Sequence, residues 1–286
     1  MLVAVAIVPG PPALVPQLMG SAAHELDDLR QAADLVISTI ITDLVGASAD
    51  SSSPGAQLLQ LVIAGPGRPG EFNASGPVSF ASFGRDVVVP ALAAPKEGSD
   101  PEEGSDPNGG THRKVDDRGD NCQERDGELP TPLMVARYLA SRHIAAHPEH
   151  AGLWASARWI ATDGTDSTLV GEQLRDVDTR VALILVADGA TCHGPKAPRA
   201  EDSRAPAYHE RVCAALASGK PAELARLDPD LGRELGATGP QLWPVLLAAA
   251  DGAWTGEVTW SGWPYGVGWA VAPWRRDSLS SGVARA

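Results

Sequence analysis

Three stretches are apolar at almost every position: LVAVAIV at 2–8, LLQLVIA at 58–64 and VALILVA at 181–187. A strand with one wet face alternates apolar with polar residues, so an unbroken run predicts a strand covered on both faces. ARWIAT at 157–162 is a shorter strand candidate. DVVVPAL at 86–92 predicts another, with Pro90 placing it near a sheet edge or at its own end. The segment EVTWSGWPYGVGWAVAPW predicts two short strands around a Trp/Pro/Gly turn.

Between these runs the apolar spacing changes to steps of three and four. Ala22, Leu26, Leu29, Ala33, Val36 and Ile40 line one face of a helix, which Ser21 can cap and whose first turn holds His24 and Glu25. TPLMVARYLASRHIAA at 131–146 predicts a second helix, with Pro132 in its first turn. PAYHERVCAALASG predicts a third, closed by Gly219. PAELARL and DLGRELGA predict short helices, and PQLWPVLLAAADG a longer one.

Alternating strands and helices with continuously apolar strands predict an α/β fold: a parallel or mixed sheet with helices on both faces. Ligands of such sheets bind beyond the carboxyl ends of the strands. The loops there are PGPP at 9–12, GPGRPG at 65–70 and DGATCHG at 188–194, all rich in Gly and Pro.

Residues 96–128 differ in kind. EGSDP occurs twice, and eleven Asp/Glu face five Lys/Arg with almost no apolar residue. This predicts an acidic, disordered surface insertion. The spacing of its acids does not match an EF-hand loop.

A length of 286 residues at 43% hydrophobic composition suffices for one large α/β domain or two small ones. A net charge of −13 without a Lys/Arg cluster argues against a nucleic-acid or anionic-membrane surface. No apolar run approaches the ~20 residues of a membrane span, and the start lacks the cationic region of a secretory signal. Three cysteines, widely spaced and without CxxC, argue against a disulfide framework or zinc knuckle. A reduced, cytoplasmic protein is expected.

His193, just past a buried strand, is the foremost candidate acid or base, set against a surface-turn histidine bonded to backbone. Asp188 either orients a histidine, binds a metal or caps the turn. Cys192 adjoins His193, and neighbours on a turn point apart, which disfavours a Cys-His nucleophile pair. Lys196 and Arg204 either hold an anionic substrate group or are solvated. Trp260, Trp263, Trp269 and Trp274, with Tyr265, pack the last hairpin or form an aromatic wall for a planar substrate. His143, His147 and His150 have a spacing that can bind metal, but Pro148 interrupts the helix before His150, so a solvated helix terminus is expected.

The run from DGATCHGPKAPRAEDSRAP to GATGPQLWPVLLAAA, the ending PYGVGWAVAPW and the opening AIVPGPPALVPQLMG resemble LigB-type class III extradiol ring-cleavage dioxygenases, within a wider superfamily that includes the MEMO-like proteins. The likeness to the actinobacterial subunit-B-like branch covers most of the chain outside 96–128. It implies one domain over 1–286: three layers with a central mixed, largely parallel sheet flanked by helices. It also implies Fe(II) held by two histidines and a carboxylate, O₂-dependent opening of a catechol-like ring, and a homodimer or a small second subunit. Carried over by position, the family's first metal histidine falls at Gly10, and the second falls in GPGRPG, which has no histidine. The metal carboxylate falls near Glu234 or Gln241, and the acid/base histidine at His193. Three functions therefore stand: a dioxygenase-like enzyme with a rebuilt metal site, a pseudoenzyme of that fold binding a small molecule or protein partner, and a metal-free hydrolase using His193 with Asp188.

Overall fold

The computed structural model describes residues 1–46, 58–92 and 128–277. The apolar runs form the centre of a mixed eight-stranded sheet. Its strands are β1 (Leu2–Val8), β2 (Leu59–Pro66), β3 (Gly70–Phe72), β6 (Arg158–Thr162), β7 (Arg180–Val186), β8 (Trp254–Gly256), β9 (Trp260–Gly262) and β10 (Trp269–Arg276). The order is β3-β6-β2-β7-β1-β10-β8, with β9 paired to β10 beside β8. The four strands β6, β2, β7 and β1 run parallel, while β3 and β10 join them antiparallel. The register sets Val8 opposite Val186 and Pro66 opposite Thr162, so the parallel strands end at one edge.

The side-chain alternation explains the unbroken apolar runs. Ala4, Ala6, Val8, Leu61, Ile63, Ala182, Ile184 and Val186 face one layer of helices, while Leu2, Val5, Ile7, Val62, Ala64, Val181, Leu183 and Leu185 face the other. Helices α1 (Pro16–Met19), α2 (Asp27–Gly46), α3 (Thr131–Ala146) and α4 (Ala151–Ala155) belong to the first side. The second side carries α5 (Ser167–Arg175), α6 (Ala205–Ser218), α7 (Pro221–Ala225), α8 (Pro229–Glu234) and α9 (Gly239–Ala249). The fold is thus a three-layer α/β sandwich, as the hydrophobic pattern predicts. No helix among the described residues is long and apolar enough to cross a membrane.

Several local expectations hold. Leu26, Leu29, Ala33, Val36 and Ile40 are buried along one face, although Gly20–Leu26 winds as a 3₁₀ turn and the α-helix proper starts at Asp27. Ser21 lies inside the 3₁₀ turn, whose N-cap is Met19 and which no side-chain hydrogen bond caps. Gly219 closes α6 at φ +62°, a conformation that costs other residues strain.

The 86–92 expectation needs correction. Only Val88–Val89 (β5) is extended, and it pairs with Val78–Ser79 (β4) in a separate two-stranded ribbon. The reason is Arg137. This fully buried guanidinium on α3 donates to the carbonyls of Ala74 (2.7 Å), Gly76 (3.1 Å) and Pro90 (2.7 Å), which holds the ribbon against α3 instead of in the main sheet. The acidic stretch 96–128 lies, apart from Glu128, outside the described residues.

Candidate functional site at the carboxyl edge of the sheet

The loop 188–194 leaves β7 between two partners and is bonded to both. On one side Gly189 N donates to Gly268 O and Gly268 N donates to Ala190 O, both at 2.8 Å, and His193 N donates to Gly266 O at 3.0 Å. On the other side Thr191 N donates to Leu235 O, and Thr238 N to Asp188 O, both at 2.9 Å. Thr238 Oγ1 also accepts from Asp188 N at 2.8 Å. The loop is therefore fixed by backbone, and its side-chain directions follow.

Asp188 points back across the sheet edge. Its Oδ1 accepts the Gly10 N–H at 3.1 Å, joining the loop after β7 to the loop after β1. Burial pushes its carboxyl up to about 6, and the Gly10 N–H pulls partly against that shift. The Trp269 indole also lies close enough to favour the carboxylate, but its N–H makes no hydrogen bond, so the Gly10 N–H is the donor that Asp188 engages. Asp188 thus accepts from a backbone N–H as a capping residue does, but from the loop after β1 and not from its own turn.

His193 does not meet Asp188 in a hydrogen bond. Its half-buried ring lies against the Trp263 indole, with centroids 4.3 Å apart and planes at 39°. His209 of α6 lies against the same indole at 4.6 Å and 56°. The Trp263 face is thus engaged by the protein's own imidazoles, and Trp269 and Trp274 are buried in the core, as the packing reading of this cluster expects. His209 is 6% exposed, and burial, aided by the charge of His193, holds it near 4, so it is neutral at physiological pH. Cys192 is buried with its Sγ on Leu235 O, pointing away from His193 as expected for neighbours on a turn.

The remaining candidates are dispersed. Lys196 is exposed beyond the turn. Arg204 is also exposed, and its guanidinium is occupied by Asp202 (2.7 Å) and Glu234 (3.0 Å). Tyr265 donates to Glu25 at 2.9 Å and adopts φ +56°, the only described non-glycine residue with positive φ. Glu234 faces solvent in its ion pair, and Gln241 lies in the first turn of α9.

The Fe(II) set implied by the resemblance can be tested against space and donors. A Cβ on Gly10 would lie 2.7 Å from Val186 Cγ1 and 2.9 Å from Pro132 Cβ. A Cβ on Gly67, in the loop after β2, would lie 2.8 Å from Pro130 Cγ and 3.3 Å from Ala161 Cβ. Val186 and Pro132 thus crowd Gly10, where the first implied histidine falls, and Pro130 and Ala161 crowd Gly67 within GPGRPG, the segment of the second. Asp188, His193 and His209 do not bring three ligand atoms within 4.8 Å of one another. The strand-end residues do not fit an iron with two histidines and a carboxylate.

Space beside Asp188 is equally small. Between β1, the 187–189 turn, α6 and α9 lies a cavity of about 20 Å³, mostly apolar, bordered by Asp188, Tyr208, His209 and Trp243. That volume admits one water and excludes a catechol ring. Tyr208 Oη, His209 Nδ1 and Trp243 Nε1, all residues of this cavity wall, have no hydrogen-bond partner within the protein. Sequence reasoning had no signal for this enclosure, because Tyr208, His209 and Trp243 sit on helices with ordinary core spacing.

No protein-family model matches the chain, and no curated protein matches it. Among solved structures it is similar to the crystal structure of an uncharacterized protein, JW3007, from Escherichia coli K12. The identity is 13%, the TM-score 0.38, and the alignment covers 96% of this chain and 99% of the other.

Proposed function

We propose that this chain is a non-catalytic member of the LigB-type extradiol dioxygenase lineage, which acts by binding a small-molecule or protein partner and does not cleave rings. The observation that carries the reading is the packing at Gly10 and Gly67. A ring-cleaving site needs histidines at the strand ends to hold an iron with open positions for catecholate and O₂, and here a side chain at Gly10 would meet Val186 and Pro132, and one at Gly67 would meet Pro130. The tie from Gly10 to Asp188 supports it, since the carboxylate serves the backbone. The hydrolase alternative draws no support from an Asp188–His193 contact, because Asp188 is spent on Gly10 and His193 on Trp263.

The test is anaerobic loading with Fe(II), followed by desalting, elemental analysis and oxygen uptake with catechol. The expected result is no catechol-dependent oxygen uptake, and iron content unaltered by Asp188→Asn or His193→Ala. Ring-opened product, with iron near one per chain that is lost in Asp188→Asn, overturns the proposal.

A further inference from the structure

On the opposite helical layer, three histidines that Pro148 separates in sequence come together in space. α3 ends at Ala146, and His147 N still bonds to His143 O at 2.8 Å. Pro148 then opens a 3₁₀ turn, Pro148–His150, in which His150 N bonds to His147 O at 3.1 Å. This turn carries His150 back over the helix end. The result departs from a solvated terminus: His143 is 4% exposed, and all three imidazoles stack, at 4.8 Å (143–147), 5.2 Å (143–150) and 5.6 Å (147–150).

A carboxylate completes the group. Glu149 Oε1 lies 3.4 Å from His147 Nδ1. One ligand atom each from His147, Glu149 and His150 lies within 4.8 Å of the others. A tetrahedral zinc with bonds of about 2.0–2.1 Å has ligand atoms about 3.3 Å apart. The His147–Glu149 separation already meets that edge. The remaining closure of about an ångström or more falls on side chains with room to turn, since those of His147 and Glu149 are 40% and 63% exposed.

The groups behind the cluster fix its chemistry. His150 Nδ1 is 3.0 Å from His143 Nε2, and His143 Nδ1 is 3.3 Å from Ser38 Oγ on α2. If His150 donates from Nδ1 to His143, and His143 donates from Nδ1 to Ser38, the lone pair of His150 Nε2 is left for a metal. A metal-bound histidine is held in this way, its second nitrogen donating to a buried acceptor.

We propose that His147, Glu149 and His150 form a surface site for a divalent transition metal, Zn²⁺ foremost, with His143 as the positioning residue for His150. Two imidazoles and one carboxylate suit Zn²⁺ better than Mg²⁺ or Ca²⁺, which take oxygen ligands. The metal ties the end of α3 to the turn that follows it and leaves a position open for water. The site is independent of the reading given to the strand ends, from which it shares no residue.

The experiment uses the full chain, stripped with EDTA and titrated with Zn²⁺ against a chromophoric zinc chelator. The expected result is one site per chain that His147→Ala/His150→Ala weakens at least about 100-fold, with Glu149→Gln weakening it less. His143→Ala is expected to weaken it by about 10- to 100-fold, the range for removing an outer partner of a ligating histidine. Co²⁺ is the second probe: bound at the site, it gives visible d–d absorption that the double variant lacks, while circular dichroism reports whether each variant is folded. Asp188→Asn is expected to bind Zn²⁺ as the parent does. Zinc affinity and Co²⁺ absorption unchanged in a folded double variant, or no binding by the parent, overturns the proposal.

Discussion

Gly10 and Asp188, 178 positions apart, are joined by a 3.1 Å hydrogen bond from the backbone N–H of one to the carboxylate of the other. The bond spans adjacent parallel strands at the edge where this class of fold places its ligands. Because burial raises the folded-state value of Asp188 to about 6, above the 3.8 of a free carboxyl, the folded protein binds its proton more tightly. Its contribution to stability is therefore fully present below about pH 4 and is lost as pH rises through about 6. Asp188→Asn keeps an oxygen to accept from Gly10 and removes the titration. The variant is expected to lack this component, of order 1–3 kcal/mol, in the difference between its stability–pH curve and that of the parent. Urea denaturation at intervals from pH 4 to 7.5 measures it; superimposable curves refute the assignment.

His209 produces the opposite slope. Burial holds it near 4, below the 6.5 of a free imidazole, so its contribution is present above pH 6.5 and is lost as pH falls toward 4. His209→Gln is expected to remove a loss of up to about 3 kcal/mol between pH 7 and pH 4. Proton-detected titration of the His209 ring checks the cause directly, since an imidazolium at pH 5.5 contradicts it.

Gly67→Ala places a methyl group 2.8 Å from Pro130, and Gly10→Ala one 2.7 Å from Val186. Each is expected to destabilise by about 1–3 kcal/mol, the usual cost of overfilling a packed region. At this chain length that lowers Tm by roughly 2–4 °C per kcal/mol. Gly152→Ala is the contrast: nothing lies within 4 Å of the added carbon in α4. It is expected to stabilise slightly, by about 0.5–1 kcal/mol. Differential scanning calorimetry of the three variants tests the ranking.

Arg137→Met removes the donor that three carbonyls share and leaves them facing an apolar side chain. The cost is expected to be about 1–3 kcal/mol, that of one buried acceptor left without a partner, because Ala74 is buried while Gly76 and Pro90 are exposed to water. Amide exchange should quicken first over 74–92, where the ribbon loses its anchor, before it does so in the central strands. Uniform protection across both regions contradicts this role.

What was legible in the sequence follows from which forces are local. Residues 2–8, 58–64 and 181–187 announce buried strands because a doubly covered strand must be apolar at every position. The helix 131–146 and its Pro132 are equally plain. DVVVPAL misleads because the Pro90 carbonyl accepts from Arg137, 47 positions further along, which holds the segment on α3 and out of the sheet that its composition suggests. The carboxyl-edge loops are located correctly, yet PGPP gives no hint that Pro132 will sit on Gly10. The histidine trio illustrates the same limit: Pro148 does end the helix, and the turn it opens returns His150 to His143, which spacing along the chain cannot express. His193 is found where expected, and its Trp263 neighbour becomes evident only once the hairpin folds over it.

The place of β1 sets a condition on synthesis. Val5 lies opposite Leu183 of β7 on one side and opposite Trp274 of β10 on the other. Neither partner exists until most of the chain has left the ribosome, which at about 5–20 residues per second leaves an early, wholly apolar segment unpaired for roughly ten seconds or more. The nascent chain must carry LVAVAIV through that interval, and shielding it in transit falls to chaperones or to contacts with α2, the helix made next.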